Sequence, residues 1–526
     1  MTQRSGIRPP RPLVAAAVVS ALLAFIPLAY LLVRVVSAGP DKVFASLFRA
    51  RTLETTVTSV GLMVVVVAGC LIIAIPAAAL LTRTNLPGRR WWMTALALPL
   101  AIPSYVAAYA WIAQFPAMSG FWAAALILIA VSYPYVLLPV AAALRAADPA
   151  IEEVARSLGK SPFTAFRTTT LPQAMPAAAA GSLLVGLYVL SDFGAVSLFR
   201  VDAFTRVIFA SYRASFDRTS AAVLASILVL LALILVFAER KVRGKSLQYR
   251  SASGTQRIAV LTRLSLRGRV VSGGFISLII VIAIFVPVTS LLMRLVEGSR
   301  RPLDLAELAQ ATLNSAGAAA AGAVIAVALA LPIGLLTARY QSKWSTGTES
   351  VAFAGHALPG VVIGLSLVFL TINTVPVLYQ TLFTLAFAYA VLFLPKSIGA
   401  TRTSVAAVPP ILEQTARTLG RNPFTAWSQT TLRLSWPGIA AGGLLVLLTA
   451  MKELPATLML RPTGFDTLAT ELWSRTEIAA YGAAAPYALA LIALAAVPSF
   501  ALSMAMSKGH QVRDQDATPR LDTVSL

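Results

Sequence analysis

The chain has 526 residues, of which 58% are hydrophobic and only 12% charged, with a mean hydropathy of +0.78. A soluble domain of this size has no interior large enough for that much apolar side chain, so its solvent is lipid. The formal net charge of +22 sits in short connectors between apolar runs, a pattern of membrane orientation that argues against nucleic-acid binding.

The N-terminal MTQRSGIRPPRP is basic and leads into an apolar run without a convincing small-residue cleavage site, which reads as a retained spanning helix. A span needs about twenty mostly apolar residues. Twelve runs qualify, at 13–36, 56–81, 91–113, 121–144, 175–199, 220–238, 271–293, 314–338, 350–371, 379–400, 436–460 and 483–506. None shows the polar–apolar alternation of a barrel strand, so all are expected to be helices. Cys70 lies inside one run and is the single cysteine, which rules out an internal disulfide and a cysteine metal site. Of the two histidines, His356 stands near a helix break and reads as structural, and His510 is in a polar tail.

Lys and Arg set the orientation. With the N-terminus cytoplasmic, the inner connectors carry Arg83, Arg89 and Arg90 and a linker at 239–270 with nine Lys or Arg against one acid, Glu239. The outer loops 114–120 and 372–378 carry no charge, whereas outer loop 200–218 is an exception with Arg200, Arg206, Arg213 and Arg218. The balance places both termini in the cytoplasm and the chain, multi-pass, in the cytoplasmic membrane.

The sequence repeats itself. EEVARSLGKSPFTAF at 152–166 and EQTARTLGRNPFTAW at 413–427 share nine of fifteen residues, with Gly159 and Gly420 261 positions apart. AIPSYV at 101–106 matches ALPGVV at 357–362, LLP at 137–139 matches FLP at 393–395, and twenty residues from Gly181 align without gaps on those from Gly442. Six spans per half is an even number, so the halves insert in the same orientation. The expected fold is an all-α polytopic membrane protein with twelve transmembrane helices as two parallel six-helix repeats, a pathway lying at their interface. The halves are 1–238 and 271–507, joined by the basic cytoplasmic linker 239–270, and 508–526 is a disordered tail.

Each repeated segment reads as two short polar helices. The first ends at a glycine suited to a left-handed C′ position, and the second opens with Ser161-Pro162 or Asn422-Pro423 as N-cap and first helical residue. Both copies fall on the cytoplasmic side, a docking site for a twofold-symmetric partner. E-x-A-R-x-L-G followed by Leu171-Pro172 resembles the EAA loop of binding-protein-dependent ABC importer permeases. The second copy departs from it, with Gln414 in place of Glu153 and Leu432-Arg433 in place of Leu-Pro. The resemblance spans almost the whole chain and implies the type I importer transmembrane fold. It makes Glu152, Glu153, Ala155, Arg156 and Gly159, with Glu413, Gln414, Ala416, Arg417 and Gly420, the coupling helices that grip an ATP-binding cassette subunit dimer. It also implies an extracytoplasmic substrate-binding protein. The stretches 190–209 and 451–470 resemble the fused two-half permeases of ferric-iron importers, and thiamine permeases are similar in layout.

Gly-Lys-Ser occurs at 159–161 and 244–246, but a P-loop needs glycine where Val154 and Glu239 stand. ATP must come through another polypeptide, and the chain is expected to be neither an enzyme nor a cofactor carrier. Ser191-Asp192 and Lys452-Glu453 stand at aligned positions inside the spans, where charge costs about 2.5–3.5 kcal/mol per residue on insertion scales. They are the pathway candidates, expected toward its outer half. Three readings stay open: the two acids as hard ligands for a hard cation with Lys452 compensating, a Lys452–Asp192 pair that locks the halves, or a group at the outer interface. Pro103, Pro359 and Pro455 are expected to break their spans. A thiamine cargo would call on Tyr105, Tyr109 and Trp111 for cation–π contact, and an ion-coupled secondary transporter is the competing class.

Overall fold

Prolines and buried acids divide the apolar runs more finely than hydropathy alone. The computed structural model describes residues 9–214, 218–248, 261–298, 304–340, 342–355 and 358–495. The first half holds α1 (Arg11–Ser37), α2 (Ala50–Arg83), α3 (Ser104–Gln114), α4 (Phe121–Ala146), α5 (Pro149–Ser157), α6 (Pro162–Ser191), α7 (Gly194–Leu198), α8 (Phe204–Ala214) and α9 (Arg218–Gln248). The second half repeats this order as α10 (Leu266–Gly298), α11 (Leu305–Arg339), α12 (Gly360–Thr374), α13 (Leu382–Ala407), α14 (Pro410–Thr418), α15 (Pro423–Ala450), α16 (Pro455–Leu460), α17 (Leu468–Glu477) and α18 (Tyr481–Ala495).

Among the described residues nine helices are long and apolar enough to cross a membrane, or ten when a bent pair counts as one span. That is fewer than the twelve expected, for local reasons. The expected span 91–113 is the bent pair, Arg89–Ala101 and α3, turning by 93° at Pro103. The expected span 350–371 is split at Pro359 into Lys343–Ala354 and α12, both too short to cross alone. The last expected span is described only to Ala495, as α18. The expected spans 175–199 and 436–460 also stop early. α6 ends at Ser191, and α15 ends at Ala450, before the Pro455 that opens α16. His356, His510 and the tail lie outside the described residues.

The linker is partly structured. α9 runs past the apolar residues to Gln248, and the chain beyond 260 returns to the first half. There Thr262 N–H donates to Arg83 O at 2.9 Å, and Asn85 N–H donates to Thr262 O at 3.1 Å. Leu264 N–H reaches Asn85 Oδ1 at 2.8 Å. Residues 249–260 lie outside the described set.

Large apolar side chains stand outward where lipid would meet them. Val57, Val64 and Ile72 of α2 and Leu230, Ile234 and Phe237 of α9 are all more than half exposed, at roughly helical spacing. Inside, α2, α4 and α6 pack together, as do their counterparts α11, α13 and α15. The first helices are exchanged. α1 packs on α11 and α12 of the second half, and α10 packs on α3 of the first. Tyr30 of α1 donates to Phe369 O at 3.0 Å, and Ser290 of α10 donates to Ala110 O at 2.6 Å. Equivalent hydrogen bonds recur elsewhere: Ser59 accepts from Phe204 N–H at 3.0 Å, as Ser315 does from Leu468 N–H at 2.8 Å.

Candidate functional site

The two intramembrane acids stand where a long helix ends and a short one begins. Asp192 follows α6 and its Oδ1 accepts from Ala195 N–H at 3.0 Å and Val196 N–H at 3.3 Å. Its other oxygen accepts the Ser104 hydroxyl at the start of α3. Glu453 accepts from Ala456 N–H at 2.9 Å, Thr457 N–H at 3.0 Å and the Thr457 hydroxyl at 2.8 Å. Both carboxylates therefore satisfy the orphan N–H groups of α7 and α16, a role that contributes about 1 kcal/mol in other helices. They are 6% and 9% exposed.

The halves differ by a compensating exchange. Where α3 begins with Ser104, α12 begins with Gly360, and a Cβ there would come within 2.4 Å of Glu453 Oε1. The extra methylene of glutamate thus occupies the space that a serine side chain would need. Aspartate with serine in one half is matched by glutamate with glycine in the other.

Both acids border a cavity of about 460 Å³ between the halves, lined by Ser104, Tyr105, Ser191 and Asp192 on one side and Gly360, Lys396, Lys452 and Glu453 on the other. The structure thus gathers all four pathway candidates. The lock between halves is absent: no ion pair joins Lys452 to Asp192 among the described residues, because Asp192 is turned onto its own short helix. Nor do the described residues contain a group of three or more His, Cys, Asp or Glu able to hold a metal. Of the three aromatic candidates only Tyr105 lines this cavity. Tyr109 donates to Tyr481 O at 2.5 Å, and Trp111 rests on Phe115 with centroids 5.6 Å apart.

A second cavity, about 600 Å³, lies past the acids, away from the repeated polar segments. Arg200, Arg206 and Arg213, three of the four exceptions in the charge pattern, line it together with Glu477. Phe193 borders both cavities. Its ring meets Phe209 at 4.9 Å and Trp473 of the other half at 5.1 Å, so an aromatic cluster stands between the two spaces.

The repeated segments form α5 and α14 with the opening turns of α6 and α15. Gly159 and Gly420 take φ of +85° and +82°, and the next residue's N–H closes back on Ala155 O at 3.2 Å or Ala416 O at 3.1 Å. Both ends are Schellman caps. Ser161 and Asn422 cap the following turns through Thr164 N–H and Thr425 N–H. Each α6 and α15 then carries one π-helical stretch, Phe166–Thr170 and Ser428–Leu432. Glu152 accepts the Thr170 hydroxyl at 2.5 Å and Glu413 that of Thr431 at 3.1 Å, which ties each short helix to the base of a long one. Arg83 stands 4.0 Å from Glu152, and Arg417 pairs with Glu413 at 2.5 Å. Ala155 is buried, Ala416 half-buried, and Glu153, Arg156, Gln414 and both glycines are exposed. Beside them stand exposed apolar side chains in matched pairs, Leu158 and Leu419 at 78% each and Phe163 and Phe424 at 72% and 74%.

The family model for the inner membrane component of binding-protein-dependent transport systems matches residues 66–240 and again 330–506. The chain belongs to this family. It is a transport permease, not an enzyme, and the family match overturns the ion-coupled secondary transporter. The chain is 36% identical over 497 residues to the Fe(3+)-transport system permease protein FbpB 2 of Haemophilus influenzae, a match covering 94% of this chain and 98% of that protein. Shorter matches include the sulfate transport system permease protein CysW of Escherichia coli, 28% identical over 34% of this chain and 67% of that protein. The molybdate/tungstate transport system permease protein WtpB of Thermococcus kodakarensis is 29% identical over 28% of this chain and 60% of its own length.

Several residues of the permease escaped the sequence reading. Lys396 follows the FLP run inside an expected span, and an intramembrane lysine is itself a signal of a site. Ser104, Thr170 and Thr431 carry no such signal, since only the fold shows what their hydroxyls meet.

Proposed function

We propose that this permease carries ferric iron inward across the cytoplasmic membrane, driven by an ATP-binding cassette dimer and supplied by an external binding protein. The likeness to the Fe(3+) permease over nearly the full length of both proteins carries this reading. The sulfate and molybdate relatives align with 34% and 28% of the chain.

In this reading twelve helices form two parallel repeats, 1–238 and 271–507, with the linker 239–270, the tail 508–526 and both termini in the cytoplasm. The α5 and α14 segments are the coupling helices, one per ATP-binding subunit. Their matched exposed leucines and phenylalanines support this, since apolar side chains at a water-facing end ask for a partner. Asp192 and Glu453 lie at the ends of α6 and α15 remote from those helices, in the outer half of the pathway. ATP-driven closure of the two subunits pulls on α6 and α15 through the Glu152–Thr170 and Glu413–Thr431 contacts, exposing the cavity alternately to each side. Radiolabelled ferric-iron uptake in cells lacking the chain, with and without its restoration, tests the reading. Restored iron uptake is expected, and restored thiamine uptake with unchanged iron uptake sinks it.

A further inference from the structure

The central cavity carries a charge arrangement that capping and coupling leave unused. Lys396 and Lys452 both line it. Lys396 donates to the Thr449 hydroxyl at 2.7 Å, one turn before Lys452, whose backbone N–H closes onto Thr449 O at 3.2 Å. The charged neighbour that acts on Lys396 is Lys452. Among the described residues no carboxylate pairs with either. The two acids of the same cavity are already satisfied: Asp192 accepts from Ala195 N–H, Val196 N–H and the Ser104 hydroxyl of α3, and Glu453 accepts from Ala456 N–H, Thr457 N–H and the Thr457 hydroxyl. The carboxylates are thus met by several donors each, whereas the Lys396 ammonium has the Thr449 hydroxyl and the Phe393 ring, 5.1 Å from its centroid.

Two ammonium groups lining one cavity within a membrane protein repel each other and lose hydration, an arrangement that an anion in the cavity would relieve. No architectural need explains the pair. The positions aligned with Lys396 and Lys452 in the first half are Val140 and Ser191, and that half packs its equivalent helices in the same way. The cavity beyond the aromatic cluster is lined by Arg200, Arg206 and Arg213 against one acid, Glu477.

We propose that Lys396 and Lys452 form an anion site, and that the cargo crosses as a negatively charged oxyanion chelate of ferric iron, not as the bare cation. The proposal rests on the iron reading and names the form in which iron travels. In it the carboxylates shape the site without ligating metal, and the lysines hold the oxygen atoms of the chelator.

The test uses the intact transporter, permease with its ATP-binding subunits and binding protein, in liposomes. Two probes are supplied, radioiron as citrate labelled with radiocarbon and radioiron as pyrophosphate labelled with radiophosphorus. Iron and a co-label from at least one probe are expected to accumulate together. Lys396→Met and Lys452→Met are expected to cut both labels about tenfold, and the Lys→Arg variants to keep most of the flux. Iron that accumulates with neither co-label overturns the chelate proposal and leaves the iron permease standing. Failure of wild-type protein to move iron from either probe overturns the iron reading as well. Co-transport that is indifferent to both methionine substitutions removes the lysines as the site. The wild-type co-label ratio decides the cargo form even where a variant does not assemble.

Discussion

Phe193 and Trp473 meet with ring centroids 5.1 Å apart, one ring from each half, between the lysine cavity and the arginine cavity. The contact can persist only while the halves stay close at this level. Aromatic pairs of this kind contribute about 0.5–1.5 kcal/mol beyond burial. Trp473→Ala is therefore expected to loosen the closed arrangement by roughly two- to tenfold in population. In reconstituted complex this should appear as raised ATP hydrolysis without binding protein, together with passive leak of ferric citrate. Unchanged hydrolysis and no leak would remove the ring pair as a barrier.

The serine–aspartate and glycine–glutamate exchange makes a reciprocal prediction. Gly360→Ala pushes a methyl group into Glu453 and should destabilise by about 1–3 kcal/mol, as overpacked cores do. Gly360→Ser combined with Glu453→Asp rebuilds the arrangement of the first half and should recover most of that loss. Thermal unfolding of purified protein measures both. A double variant no more stable than Gly360→Ala would show that the two sites are not equivalent.

Gly159→Val with Gly420→Val places β-branched residues at positive φ, where each costs about 1–2 kcal/mol. Nothing crowds either glycine, so the chain should insert normally while the caps of α5 and α14 are lost. Uptake is expected to disappear with membrane abundance intact. Retained uptake would sink the coupling assignment.

Leu158→Asp with Leu419→Asp alters side chains without changing the backbone. Both are largely exposed, so stability should stay within about 0.5 kcal/mol. Retention of the ATP-binding subunits during purification should fall about tenfold, as expected for loss of central apolar contacts at an interface. A fully retained partner would show that these leucines face only water.

What could be read from the sequence was local. Gly159, Ser161 and Pro162 dictate their turn within four residues, and the second copy with Asn422 and Pro423 behaves alike, so the repeated segments were legible in detail. The breaks at Pro103 and Pro359 followed from one ring each, whereas α15 ends at Ala450, ahead of Pro455, just as α6 ends at Ser191 before a stretch without proline. Hydropathy, in contrast, reports how long an apolar run is and not whether it stays helical, so two runs were carried past Asp192 and Ala450. The partner of Asp192 stands 88 residues away, and no periodicity reveals a serine hydroxyl at that distance. A Lys452–Asp192 pair looked natural from opposite charge alone. It failed because a carboxylate at a helix start finds backbone donors closer than a lysine of the other half.

The exchange of first helices has a consequence for biogenesis. As the chain leaves the ribosome, α3 emerges long before α10, the helix that covers it, is made. At ~5–20 residues per second that face waits roughly ten to thirty seconds against lipid or the insertion machinery. Neither half can reach its final neighbours while the other is missing, so a product truncated after Gln248 should be a substrate for membrane proteolysis. Fusion of the halves guarantees that the missing neighbour arrives on the same chain.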